Sequence, residues 1–163
     1  MERGGLAERA MKKVLPWLLL ALRLGLAGIF LWAGASKLRD PQIFAEGIGT
    51  FRVFPFSCLN LLALSVPVLE ILAGMLLLTP RWRRQGALLS AILSAIFALL
   101  FAWALYHGWE VHCGCFGREP KSAGNAYTGL LRAVAMVAAS SILYADILLL
   151  RIGRGNIRDQ LGK

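Results

Sequence analysis

The stretch Phe56-Ser-Cys-Leu-Asn-Leu-Leu-Ala-Leu-Ser-Val-Pro-Val-Leu-Glu-Ile-Leu-Ala-Gly-Met-Leu-Leu-Leu-Thr79 decides the fold. It is apolar almost throughout and carries a single charged residue, Glu70. A helix of more than 20 residues rises about 30 Å, which matches the hydrocarbon thickness of a bilayer. Three other stretches, at about 14–35, 86–106 and 129–150, have the same length and character. Backbone in lipid must satisfy its own hydrogen bonds, so each of them reads as a helix. The expected fold is all-α, an antiparallel bundle of four transmembrane helices at about 14–35, 56–79, 86–106 and 129–150. These form one domain over 14–150, preceded by a basic segment, 1–13, and followed by a basic tail, 151–163.

Composition agrees with that reading. Of 163 residues, 58% are hydrophobic and 17% charged, which excludes an ordinary soluble domain. The first apolar stretch follows basic residues as a secretory signal would. It is too long for one, has no small-residue cleavage site before Lys37, and carries Arg23 in its middle, so it reads as a retained helix.

The basic residues set the orientation. Eleven lie in the N-terminal segment (Arg3, Arg9, Lys12, Lys13), the second loop (Arg81, Arg83, Arg84) and the tail (Arg151, Arg154, Arg158, Lys163). Five lie in the first and third loops: Lys37, Arg39, Arg52, Arg118 and Lys121. Both termini are therefore expected in the cytoplasm of a bacterial cell, with the protein in the inner membrane and the third loop facing the periplasm. The net charge of +9 follows from this bias and from contact with anionic lipid, and it does not call for nucleic acid.

That third loop opens with Tyr106-His-Gly-Trp-Glu-Val-His-Cys-Gly-Cys-Phe-Gly117, which holds both histidines and two of the three cysteines. A Cys-X-Cys pair can close a strained, easily reduced disulfide, or offer two thiolates to a soft metal. Cys113 and Cys115 are the candidate reactive pair. His107 and His112 stand close enough in sequence to stabilise a thiolate or move its proton. Cys58, at the outer end of the second helix, falls on the same side of the membrane. It reads either as a third thiol able to exchange with the pair or as a small buried hydrophobe.

Inside the bundle, Arg23 and Glu70 are costly unless paired or hydrated. Each lies nine residues from the cytoplasmic end of its helix, about 14 Å of rise, so the two are expected to pair between antiparallel neighbours. Such a pair either fixes helix register or handles protons or quinone. Pro67 is expected to kink the second helix one turn before Glu70. Arg132, just inside the outer face, reads as snorkelling to headgroups or binding an anionic or quinone ligand. Gly25, Gly28 and Gly34, and on the third helix Ser90, Ser94 and a run of alanines, read as packing surfaces. Trp103, Tyr106 and Trp109 mark the outer interface. In the first outer loop, Asp40-Pro41 reads as a helix cap and first position. Ile43, Phe44, Ile48 and Phe51 then share an apolar face, which predicts a short interfacial helix ended by Pro55.

Several of these pieces together resemble the DoxX and MauE-like redox-associated membrane proteins. They are Arg23-Leu-Gly-Leu-Ala-Gly-Ile-Phe, Gly34-Ala-Ser-Lys-Leu-Arg-Asp-Pro, Phe51-Arg-Val-Phe-Pro, Pro67-Val-Leu-Glu-Ile-Leu-Ala-Gly and Cys113-Gly-Cys-Phe-Gly. The resemblance to the MauE branch, concerned with methylamine utilisation, implies a four-helix membrane protein that supports disulfide formation in an exported partner. The DoxX branch implies a subunit linked to quinone reduction. Carried over by position, Cys113 and Cys115 match the cysteine pair, and Arg23, Lys37 and Glu70 match polar positions of the shared core.

The leading expectation is a membrane thiol-disulfide oxidoreductase. It would draw electrons from an exported thiol-containing protein, directly or through a thioredoxin-like partner, and pass them to membrane quinone. Two other readings stand beside it: a metal-binding or metal-transfer protein using His112, Cys113 and Cys115, and a scaffold subunit of a membrane redox complex.

Overall fold

A computed structural model describes residues 3–109, 111 and 126–161, with side chains over 14–109, 111 and 126–149. The described residues form five helices and no strand: α1 (Arg3–Arg39), α2 (Pro41–Gly49), α3 (Phe56–Leu78), α4 (Arg83–Tyr106) and α5 (Ala126–Leu161). Four carry spans long and apolar enough to cross a membrane: Val14–Arg39, Phe56–Leu78, Arg83–Tyr106 and Ala126–Leu149. The fold is thus the expected four-helix membrane bundle, with the short α2 between its first two spans. The helices pack in a ring, α1 against α3, α3 against α4, α4 against α5, and α5 back on α1.

Apolar helices turn only one stripe to each other in such a bundle and leave the rest for lipid. On α1 the buried stripe is Leu26, Ala27, Phe30, Ala33, Gly34 and Lys37; on α3 it is Leu59, Ala63, Pro67, Glu70, Ala73, Gly74 and Leu77. Both follow the three-and-four spacing of one helix face. The outward surfaces carry Trp17, Trp32, Leu61, Leu99 and Leu149 in the open. An apolar exterior of that extent suits hydrocarbon and not water.

Two glycines set the register of α1 on α3. A Cβ at Gly34 would come within 2.8 Å of the Pro67 carbonyl oxygen and 2.7 Å of Ile71, and one at Gly74 within 2.7 Å of Leu31. The backbones therefore meet where only hydrogen fits. Gly25 and Gly28, expected to serve the same purpose, have nothing within 4 Å of a Cβ and lie on the exposed side of α1.

The boundaries hold the main surprises. α1 does not stop near residue 35 but continues to Arg39, so Lys37 belongs to a helix and not to a loop. From the Gly34 and Gly74 contacts, antiparallel stepping sets Arg39 level with Leu64, about 12 Å short of the start of α3. The short α2 fills that space: its Phe44 and Ile48 pack with Leu59 and Ala63 of α3. Of the residues expected on its apolar face, Phe44, Ile48 and Phe51 are buried, whereas Ile43 is exposed. Asp40 stands at the N-cap with Pro41 behind it, but its side chain makes no capping hydrogen bond. α2 ends at Gly49 and Pro55 caps α3.

Candidate functional site

The described polar chemistry lies at two levels. In the middle of the bundle, Lys37 Nζ donates to Glu70 Oε1 in a buried ion pair. The Phe44 and Phe97 rings lie 5.0 Å from the same ammonium, one from α2 and one from α4. Aromatic faces stabilise a cation withdrawn from bulk water. Glu70 Oε2 is buried without a hydrogen-bond partner, as are Ser94 Oγ and Arg23 Nε.

The expected Arg23–Glu70 pair does not form. The stepping that places Gly34 beside Pro67 and Ile71 carries Arg23 to the level of Pro80, beyond the end of α3. Glu70 falls instead one turn from the level of Lys37. Side chains on a helix lean toward its own N-terminus, so on antiparallel neighbours Lys37 and Glu70 lean toward each other and close that turn. Depth counted from Val14 misplaced Arg23 because α1 is shifted along α3, so that residues 14–22 of its apolar span run beyond the end of α3. The signal that identifies Lys37 is periodic: it continues the buried stripe Phe30, Ala33, Gly34 by one more step.

At its C-terminal end α4 finishes in a tight turn, a few residues before the cysteine pair in sequence. His107 is its C-cap and Gly108 takes φ +64, the left-handed conformation that glycine adopts without strain. Gly108 N–H bonds the Leu105 carbonyl at 3.1 Å and Trp109 N–H the Ala104 carbonyl at 2.9 Å. This is a Schellman turn, and it satisfies carbonyls that the helix end would otherwise leave open. Trp109 folds back on Ala104, while Val111 is buried with Phe51, Phe101 and Ala126. Phe51 meets Phe101 edge to face at 5.4 Å. Beside it Arg52, with an unusual φ of 53, lies 5.7 Å from the Trp109 ring.

His107 is exposed and packs against three aromatic rings, Trp103 at 4.4 Å, Trp109 at 4.8 Å and Tyr106 at 5.2 Å between centroids. Its Nδ1 lies 3.0 Å from the Trp103 carbonyl oxygen. A carbonyl can only accept, so Nδ1 carries the proton and Nε2 of the neutral ring is left as an acceptor.

Cys58 is a free, half-buried thiol in the first turn of α3. Its amide donates to the Pro55 carbonyl at 2.9 Å. It therefore lies at the end of the bundle that holds Val111, from which Cys113 is two residues along the chain. Cys113, Cys115 and His112 lie outside the described residues, so the pair and the His112-Cys113-Cys115 metal set have no geometry to report. Among the described residues no group of three histidines, cysteines or acidic residues could hold a metal. Arg132 is exposed on α5 and is engaged in an interaction there.

Comparison with known proteins places this architecture. The family model described as methylamine utilisation protein MauE matches residues 15–146. The chain belongs to the MauE family. Two relatives, each described as methylamine utilization protein MauE, share this membrane-bundle sequence. The Paracoccus denitrificans protein is 34% identical over 102 residues, 62% of this chain and 55% of the relative. The Paracoccus versutus protein is 32% identical over 125 residues, 74% and 67% of the two chains. The chain thus spans about half the length of the first relative and two thirds of the second. No solved structure matches. It is a multi-pass membrane protein of the MauE family, and the family match covers all four spans almost completely.

Proposed function

We propose that this MauE-family protein is a thiol-disulfide oxidoreductase of the bacterial inner membrane, with both termini cytoplasmic and the Cys113–Cys115 segment facing the periplasm. Its substrate is an exported protein with a pair of thiols, belonging to the methylamine-utilising system after which its relatives are described, or a thioredoxin-like carrier. The observation that carries the reading is the placement of Cys58. A half-buried free thiol at the outer end of α3 shares that end with Val111, where the Schellman turn delivers the chain into Cys113 and Cys115.

The chemistry balances with a quinone as acceptor. A partner thiolate attacks the Cys113–Cys115 bond, which breaks as a mixed disulfide forms. The partner's second thiol resolves that bond, leaving the partner oxidised and Cys113 and Cys115 reduced. Two electrons and two protons then pass from these thiols to a membrane quinone, giving a quinol and restoring the bond. Cys58 serves as the relay thiol. His107, with Nδ1 held by Trp103, offers Nε2 to a thiol proton, and the Arg52 guanidinium favours thiolate at the same end of the bundle.

Acid quenching and alkylation with a heavy maleimide, in native membranes, test this. Wild type and each single Cys→Ser variant are compared while quinone supply is changed. The pair is expected to be partly oxidised, to shift toward thiol when quinone is withdrawn, and to lose that response in Cys58→Ser. Thiols that remain reduced whatever the quinone supply would overturn the reading. Thiols shielded until a chelator is added would replace it with metal binding by His112, Cys113 and Cys115.

A further inference from the structure

Five polar side chains are fully buried among the described residues: Lys37, Glu70, Ser90, Ser94 and Ser140. They follow one another at intervals of about a helical turn. Lys37 meets Glu70 near mid-bundle. Ser94 lies on α4 one turn from Phe97, whose ring faces the Lys37 ammonium. With Gly86 against Leu76 and Leu77, antiparallel stepping brings Ser94 level with Val68 and Leu69, close in height to Glu70. One turn further toward the Arg84 end, Ser90 Oγ is 3.1 Å from Ser140 Oγ of α5. A turn beyond Ser140, the Tyr144 hydroxyl accepts from Arg84 Nη2 at 3.2 Å. The other buried residues among those described are apolar, although the Nε atom of the half-buried Arg23 is also enclosed without a partner.

The bonded pieces of this column are separated by two unpaired groups, Glu70 Oε2 and Ser94 Oγ, both buried. A buried carboxylate oxygen and a buried hydroxyl without partners are costly, and internal water is their usual remedy. Groups one turn apart are about 5.4 Å apart along the axis, a gap that one water spans with two hydrogen bonds of about 2.8 Å. The column ends at the ion pair, because Phe44 and Phe97 close over Lys37 on the side of α2.

We propose that internal waters join Glu70, Ser94, Ser90–Ser140 and Tyr144–Arg84 into a proton path. It leads from the Arg84 end of the bundle to the Lys37–Glu70 pair and is closed beyond it by Phe44 and Phe97. The ligand is water and the cargo is the proton. The path needs no cysteine, so it stands or falls apart from the disulfide chemistry, although a quinone reduced near mid-membrane would draw its protons there.

The closed end gives the test. The full chain is reconstituted into liposomes loaded with a pH-sensitive dye, a potassium diffusion potential is applied, and proton entry is followed. Wild type is expected to be tight. Phe97→Ala, or Phe44→Ala should the first not yield a monodisperse protein, is expected to raise flux by about tenfold, a modest fall in barrier. Ser140→Val added to either should return it to the wild-type rate. The same pattern is expected with Cys58, Cys113 and Cys115 all changed to Ser, which separates this result from that of the thiol-trapping experiment. A folded lid variant as tight as wild type, or a leak that Ser140→Val leaves unchanged, overturns the path. Independently of any variant, an experimental map of the wild type should show water within about 3.2 Å of both Glu70 Oε2 and Ser94 Oγ. An empty, dry contact there overturns it equally.

Discussion

Lys37 and Glu70 illustrate how little a buried charge contributes when it is paired and how much it costs when it is not. Drawing both ions from water roughly cancels their attraction, but removing one leaves the other stranded. Glu70→Gln and Lys37→Met should each destabilise the protein by about 3–5 kcal/mol, whereas the double variant Lys37→Met, Glu70→Leu should recover most of that loss. Thermal unfolding in detergent of the three variants measures it, and equal loss in all three would show that packing and not charge is at stake. At this scale the sequence displayed the right residues with the wrong partner. Glu70 announces itself as the one charge in its span, but Lys37 looks like a loop lysine beside Arg39 and Asp40. Apart from the family resemblance, which matches Lys37 to a polar position of the shared core, only the buried stripe on α1 marks it as internal, and a stripe is visible in sequence only once the end of the helix is known.

At the scale of elements, hydropathy locates the four spans well because lipid imposes length and apolarity together. It says little about where each helix ends, since basic residues at a membrane surface remain helical at no cost in burial; α1 starts at Arg3 and α5 runs to Leu161. Close approach is another matter, because Gly25, Gly28 and Gly34 look alike in sequence and of these three only Gly34 meets a neighbour. Gly34→Val should therefore loosen α1 from α3 by at least about 1–3 kcal/mol, while Gly25→Val should be nearly silent, as unfolding midpoints would show. Gly108 offers a separate check. A side chain at its positive φ strains the Schellman turn by roughly 1 kcal/mol. Gly108→Val should accordingly displace the Trp109 ring, read by tryptophan fluorescence, with little effect on helix content by circular dichroism.

Across the whole molecule, the distribution of basic residues makes an orientation testable at one atom. Because Lys37 is buried in the bundle, paired with Glu70, the first and third loops keep four basic residues and not five, which sharpens the asymmetry on which the expected topology rests. Cys58 in the Cys113→Ser, Cys115→Ser background should react with a membrane-impermeant maleimide added to spheroplasts, and not with the same reagent confined to the cytoplasmic face. Labelling from the cytoplasmic face alone would reverse the assignment. The cysteine pair stands out in the sequence because two thiols and two histidines share one short stretch; of these four only His107 lies among the described residues, where it caps α4 and packs against Trp103, Tyr106 and Trp109.

The short reach of α1 also has an electrical meaning. Because α1 ends early and α2 folds over it, the Lys37–Glu70 pair lies about midway along α3 and α4, with comparable lengths of helix on either side. A proton reaching the pair along the proposed path from the Arg84 end would cross about half of the transmembrane voltage, about 1.1 kcal/mol or about sevenfold in occupancy per 100 mV. If the path carries protons, the membrane potential therefore bears on this pair directly, with no ligand needed to couple the two.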